Sequence, residues 1–168
     1  MTTEPTPVSV PFEPADVVWT PVSHRLTAAR LTTLAVVMGP VLLLLAVLAL
    51  AIPQPWLWLP FGILAALTAW IGVLVPRQVR ALAYAERADD LLVRHGVMFR
   101  MLVVVPYGRM QYVDVSAGPV ARWFGIASVQ LHTASPQTTA SIEGLRPDEA
   151  ARLRDRLASR GEARLAGL

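Results

Sequence analysis

Residues 31–52 and 56–75 form two uninterrupted apolar runs of 22 and 20 residues, with no charge in either and only Pro53-Gln54-Pro55 between them. At about 1.5 Å of rise per residue, each run as a helix matches the roughly 30 Å hydrocarbon core of a bilayer. A turn this short leaves only an antiparallel pair, so the pattern predicts a two-helix transmembrane hairpin. Small residues recur at helical spacing in both spans: Ala35, Gly39, Ala46 and Ala49 in the first, Gly62, Ala65, Ala69 and Gly72 in the second. Lipid gives helices no hydrophobic reason to associate, so these stripes are the expected contact faces. Pro40 lacks an N–H in mid-span, and a kink is expected there. Neither span contains an ionisable residue; such groups mark ion and proton routes, so transport by this chain alone is not expected.

From residue 82 the pattern changes to short alternating stretches punctuated by turn residues, which predicts sequential antiparallel strands. The expected strands are 82–86, 91–95 and, after Gly96, a long strand with Val97, Phe99, Met101, Val103 and Val105 on one face. Pro106-Tyr107-Gly108 turns the chain into 109–116, where the apolar positions switch parity from Met110 and Tyr112 to Val113 and Val115, the mark of a bulge. Residues 127–134 alternate Val129, Leu131 and Thr133 against Ser128, Gln130 and His132, and 139–143 form the last strand with Ala140 and Ile142 inward. A helix follows: Pro147 suits its first position, Asp148 and Glu149 the positive end of its dipole, and Arg154, Arg156 and Arg160 the negative end before Gly161. Its apolar face, Ala150, Leu153 and Leu157, is narrow and suits a cap over a sheet opening.

Composition supports a membrane protein, with 54% hydrophobic residues and a mean hydropathy of +0.48. Residues 81–168 suffice for one small core and are expected to fold without the hairpin. All fifteen basic residues are arginine. Arg25 and Arg30 precede the first span, Arg77, Arg80 and Arg87 follow the second, and the turn carries no charge. Cytoplasmic flanks accumulate positive charge, so both termini are expected in the cytoplasm of a multi-pass protein of the cell (inner or plasma) membrane. Trp56 and Trp58 would then sit in the outer interfacial belt. Glu4, Glu13 and Asp16 stand where a signal peptide would be basic, so cleavage is not expected. The expected divisions are an N-terminal cytoplasmic tail (1–30), the hairpin (31–75), a folded cytoplasmic domain (80–161) and a C-terminal tail (162–168).

Little in the chain points to catalysis. The absence of cysteine removes disulfides, thiolate chemistry and cysteine-bound metal. His24, His95 and His132 are scattered with no spacing for a shared metal and are expected to be solvated. No Gly-x-Ser-x-Gly elbow, phosphate-binding loop or dinucleotide fingerprint occurs, so no catalytic residue, metal or cofactor is assigned. The arginines are dispersed, and nucleic acid is not an expected partner. Arg122-Trp123-Phe124 is the candidate contact with a partner or the membrane, because an arginine beside two aromatics suits either. In the competing reading, favoured by Gly118 and Gly125 on either side, Trp123 and Phe124 plug the corner between sheets and Arg122 is solvated.

An all-β run closed by one helix directly after a membrane hairpin resembles the bacterial membrane-flanked PH-domain family (YdbS-like). The resemblance rests on Val93-Arg94-His95-Gly96-Val97, on the stretch from Val105-Pro106-Tyr107-Gly108-Arg109 to Asp114-Val115, and above all on Gly118-Pro119-Val120-Ala121-Arg122-Trp123-Phe124-Gly125-Ile126-Ala127-Ser128-Val129. His132-Thr133-Ala134 and Ile142-Glu143-Gly144-Leu145 match its closing elements, and the likeness covers about residues 20–160. It implies a two-helix transmembrane hairpin followed by a mainly β PH-like domain, two bent antiparallel sheets closed by a C-terminal α-helix, and implies no known reaction. PH modules that hold phosphoinositides gather basic residues at the first β-hairpin. Here that turn sets Asp89 and Asp90 against Arg87, so specific phosphoinositide binding is not expected. Weak attraction to anionic lipid is, because residues 77–168 carry thirteen arginines against nine acids.

The expected function is a non-catalytic interaction module held at the cytoplasmic face. Its partner would be a protein, another membrane PH-domain protein or a second copy, and/or the anionic membrane surface. The alternative is an enzyme, or a subunit of one, acting on lipid or cell-envelope substrates; a pocket near the inner leaflet gathering Tyr107, Arg109 and Asp114 would favour it. The topology is directly testable in this cysteine-free chain. With single cysteines placed at Thr3, Gln54 and Ser159, a membrane-impermeant thiol reagent added to intact cells is expected to label position 54 alone; labelling at 3 or 159 would refute the orientation.

Overall fold

The computed structural model describes residues 17–52, 54–97, 99–133 and 139–165. Two long helices, α1 (Arg25–Ala51) and α2 (Trp58–Arg80), pack antiparallel, joined through a 3-10 turn at Pro55–Leu57. Both are long and apolar enough to cross a membrane, and only 6% of the most apolar stretch of either is buried. Leu43, Leu44, Leu50, Leu59, Ile63 and Trp70 all point outward, a surface suited to lipid and not to water. Pro40 is accommodated within an uninterrupted α1; Pro53 lies outside the described residues.

The small-residue stripes form only part of the contact between the helices. Ala35, Gly39, Gly62 and Ala69 are exposed, and a methyl group placed on Gly39, Gly62 or Gly72 would meet nothing within 4 Å. Shielded positions are instead mostly large: Leu34, Met38, Leu42 and Leu45 on α1, Leu57 in the 3-10 turn, and Phe61, Leu64 and Thr68 on α2, with Ala46, Ala49 and Ala65 among them. Gly39 and Gly62 are turned away from the neighbouring helix, so the close approach expected from them does not occur; the small residues at the contact are Ala46, Ala49 and Ala65.

Both helices outrun their apolar stretches on the same side and enter the folded domain. That domain has a four-stranded antiparallel sheet, β1 (Thr20–Pro21), β2 (Ala83–Glu86), β3 (Asp90–His95) and β4 (Met101–Pro106), in spatial order β1-β2-β3-β4. A second sheet holds β5 (Met110–Ser116), β6 (Ala127–Thr133) and β7 (Ala140–Leu145) in order β5-β6-β7. A short helix α3 (Pro119–Trp123) bridges β5 and β6, and α4 (Pro147–Leu165) closes the assembly. This is the fold class expected, a hairpin followed by two antiparallel sheets and a closing helix.

Several elements differ from the sequence pattern. Strand β1 pairs Thr20 with Tyr84 and Pro21 with Ala83, so the segment read as tail is part of the domain from Thr20 onward. The strand expected from Val97 begins only at Met101. Gly96 takes φ +99°, and a Cβ there would stand 1.8 Å from the Phe99 carbonyl oxygen. Only glycine tolerates that turn, and it throws Phe99 out to 84% exposure instead of onto an inner face. The bulge falls where the parity change put it: Met110 pairs with Thr133 and Tyr112 with His132, leaving Gln111 as the extra residue. Helix α4 runs through Gly161, which is buried; packing there overrides a local stop signal.

The core is continuous across both sheets and the helix roots. Val22, Leu26 and Ala29 from the N-terminal side and Val79 from α2 join Val105, Val129, Leu131, Ile142, Leu145, Ala150, Leu153 and Leu157 in one cluster. Residues 80–168 alone would expose the surface those four cover, which revises the expectation of a self-sufficient segment. The contact is tightest at Gly144, whose φ is +79° and where a Cβ would lie 2.8 Å from the Leu26 Cβ. Ser23 N donates to the Gly144 carbonyl at 3.0 Å, and Arg30 bridges Glu143 at 2.8 Å. Across the domain, the buried Tyr84 hydroxyl donates to Glu149 Oε1 at 2.7 Å, and Arg156 reaches Glu86 at 3.0 Å, tying α4 to β2. Burial first, and then the Glu149 carboxylate it bonds, pushes the Tyr84 phenol above its ordinary range.

Two outcomes follow from this packing. Gly144→Ala in the full chain is expected to lose roughly 1–3 kcal/mol, from backbone strain and the collision with Leu26; an unchanged melting curve in detergent would mean that the junction is not tight. The folded chain holds the Tyr84 proton more firmly than the unfolded chain does. This contribution is therefore complete below pH about 10 and lost as pH rises above it, by up to about 1.4 kcal/mol per pH unit. Denaturant melts between about pH 9 and 11 should show a shallower decline for Tyr84→Phe than for the unmodified chain; equal slopes would remove Tyr84 as the cause.

Candidate functional site

Three surfaces carry the residues of interest. The first is the β2–β3 turn, where a PH module would hold a phosphate. Arg87 N donates to the Asp90 carbonyl at 2.9 Å, and the Arg87 guanidinium lies 3.9 Å from Asp90 Oδ2. The turn is gripped from outside: Tyr107 N donates to the Asp89 carbonyl at 3.1 Å, while Arg160 Nη1 and the Tyr107 hydroxyl donate to the Arg87 carbonyl at 2.7 and 3.1 Å. Arg160 also stacks over the Tyr107 ring at 5.2 Å. Burial raises the Tyr107 pKa, with the Arg160 hydrogen bond opposing it. The turn's backbone groups thus serve its own structure, while Asp90 Oδ1 is buried without a hydrogen-bond partner among the described residues.

The second is the corner at α3. Gly118 starts the helix, with Pro119 in its first turn, and Ile126 N closes it on the Ala121 carbonyl at 2.9 Å. This splits the Arg122-Trp123-Phe124 triplet. Phe124 packs against the core and Arg122 is exposed, as the plug reading required, but Trp123 is 79% exposed. A five-residue helix turns successive side chains by about 100°, so neighbours in sequence part company here. Each sheet also ends in free edges. Strand β4 bonds only β3, and β5 only β6, among the described residues, and they expose Met101 and Val104, and Tyr112 and Val115. The Tyr112 ring stacks on His132 at 4.3 Å between centroids, with His132 Nε2 3.6 Å from Asp114 Oδ2. His132 is therefore half-shielded, not simply solvated.

The third surface escaped the sequence pattern. A cavity of about 800 Å3 opens where α2 meets the domain, walled by Trp70, Leu74 and Arg77 on one side and by His95, Val97 and Phe99 on the other. Arg30, Ser141 and Glu143 close its floor. Its only advance signal is the apolar stretch after Gly96. Tyr107, Arg109 and Asp114 are not lining residues: Tyr107 is committed to Arg87 and Arg160, and Asp114 faces His132. Among the described residues, no three His, Asp or Glu side chains gather as a metal site.

Comparison with known proteins agrees with this architecture. A family model described as "Bacterial PH domain" matches residues 25–161, spanning both long helices, both sheets apart from β1, and most of α4. The chain is 32% identical over 120 residues to the UPF0699 transmembrane protein YdbS of Bacillus subtilis (strain 168), covering 67% of this chain and 74% of that protein. No solved structure matches.

Proposed function

The chain belongs to the bacterial PH domain family, and we propose that it is a non-catalytic, multi-pass membrane protein presenting its PH domain at the cytoplasmic face to bind a partner protein. The orientation is supported by Arg25, Arg30, Arg77 and Arg80 at the domain end of the hairpin and by the uncharged turn at the other. Binding is supported chiefly by one observation, the free edges of β4 and β5. Each combines unpaired backbone groups with exposed apolar side chains, and Trp123 stands exposed on the helix that follows β5. Soluble domains normally blunt such edges with charge or proline. An extended segment of a partner, or of a second copy, adds to such an edge through main-chain hydrogen bonds and reads the exposed side chains for specificity. Anchoring the module raises its effective concentration toward other membrane proteins without any new contact.

The clamped β2–β3 turn and its two aspartates argue against a phosphoinositide cup, while the excess of arginine supports diffuse attraction to anionic lipid. The enzyme reading draws no support from the cavity, where the lining carboxylate, Glu143, is already engaged by Arg30 at 2.8 Å.

A photo-crosslinking residue at Val104 or Tyr112 of the full chain is expected to give one discrete protein adduct in intact cells. The same probe at Arg154, exposed on α4, should give none. Val104→Lys is expected to reduce the Tyr112 adduct by about tenfold with the melting curve retained. Equal yields at all three positions would overturn strand addition.

A further inference from the structure

The cavity at the junction of hairpin and domain crosses two environments. Trp70, 69% exposed, and Leu74 belong to the apolar run 56–75, and Arg77 lies just beyond it. Seven residues of helix separate Trp70 from Arg77, about 10 Å along the membrane normal. One wall of the cavity therefore begins in hydrocarbon and ends at the headgroups. The loop after Gly96 contributes Val97 and Phe99 to the same lining, and both are exposed.

Charge selects the occupant. Glu143, the acidic residue among the lining groups, is paired with Arg30 at 2.8 Å. Arg77 makes no ion pair among the described residues, and His95 and Ser141 stand in the same lining. A phosphate thus finds a free guanidinium, the group best shaped to hold it. The ammonium of a zwitterionic headgroup finds no free carboxylate. At about 800 Å3, the space is within the usual range for small-molecule sites.

We propose that this cavity binds one anionic phospholipid from the leaflet on the domain side, its phosphate on Arg77 and an acyl chain between Trp70, Leu74 and Phe99. The site is distinct from the β2–β3 turn and from the β4 and β5 edges, so it stands or falls independently of the partner reading. Lipid entering here bridges α2 to the β3–β4 loop, and Phe99 meets acyl chain instead of water.

The test uses the full chain in nanodiscs of phosphatidylglycerol and phosphatidylethanolamine in equal amounts, released gently and weighed by native mass spectrometry. One retained phosphatidylglycerol is expected, in preference to phosphatidylethanolamine. Arg77→Gln is expected to cut that retention by about tenfold, the cost of one charge-assisted contact. Leu74→Trp, which fills the cavity without touching charge, should do the same with melting retained, so the test survives if either variant folds poorly. Arg152→Gln, on α4 and outside the cavity, should change nothing. Retention that is equal for the two lipids, or indifferent to both cavity variants, would assign the lipid to the general annulus and overturn the proposal.

Discussion

A helix leaving a membrane has two options at the headgroups: end in a linker, or carry its next turn into something that buries it. Here both long apolar helices carry on into the folded domain. Leu26 and Ala29 on α1, and Val79 on α2, sit in the same apolar core as both sheets, and Leu26 presses on the backbone of Gly144. Burying side chains such as Leu26 and Val79 is worth about 1.5–3 kcal/mol each, and the benefit requires that the hairpin hold a fixed place against the domain. The domain's boundary with the membrane, the form of the cavity and the entry of β1 all depend on that joint. The family match agrees, since it starts at Arg25, the first residue of α1, and not at β2 beyond the hairpin.

Much of the fold was legible because burial often follows local period. The alternation that puts Val129 and Leu131 inward, with Ala140 and Ile142 beside them, is a property of a pleated strand, and the structure buries all four. The same holds for Ala150, Leu153 and Leu157 on α4, and for the parity switch that gave away the bulge at Gln111. Reading failed where a single backbone event overrode the period. Val97 and Phe99 continue the alternation of Met101, Val103 and Val105, yet the left-handed turn at Gly96 detaches them from the strand. Strand β1 is two residues long, too short to carry a period at all.

The candidate sites were less legible, for a different reason. Arg122, Trp123 and Phe124 are conspicuous in sequence, but a helical turn distributes them to solvent, surface and core, so a motif of neighbours is not a patch of neighbours. Conversely, Trp70, Arg77, His95, Phe99 and Glu143 come from α2, the strand β3 and its following loop, and β7. Nothing local links them; they meet because the helix roots and the sheets share one core. The small-residue stripes failed similarly: spacing placed Gly39 and Gly62 on a face, but spacing does not say which face meets the other helix, and both glycines are exposed.

A joint without a linker also makes the hairpin a lever. Transmembrane helices tilt to fit their apolar length to the thickness of the surrounding bilayer. A flexible tether would absorb such a tilt, but a helix whose first turns are locked under Gly144 and bridged to Glu143 passes the rotation on to the sheets. With both helices across a bilayer, a tilt of the hairpin would carry the exposed borders of β4 and β5 with it. A hairpin seated in a bilayer would in this way pass the mechanics of the surrounding lipid on to the domain's angle of presentation.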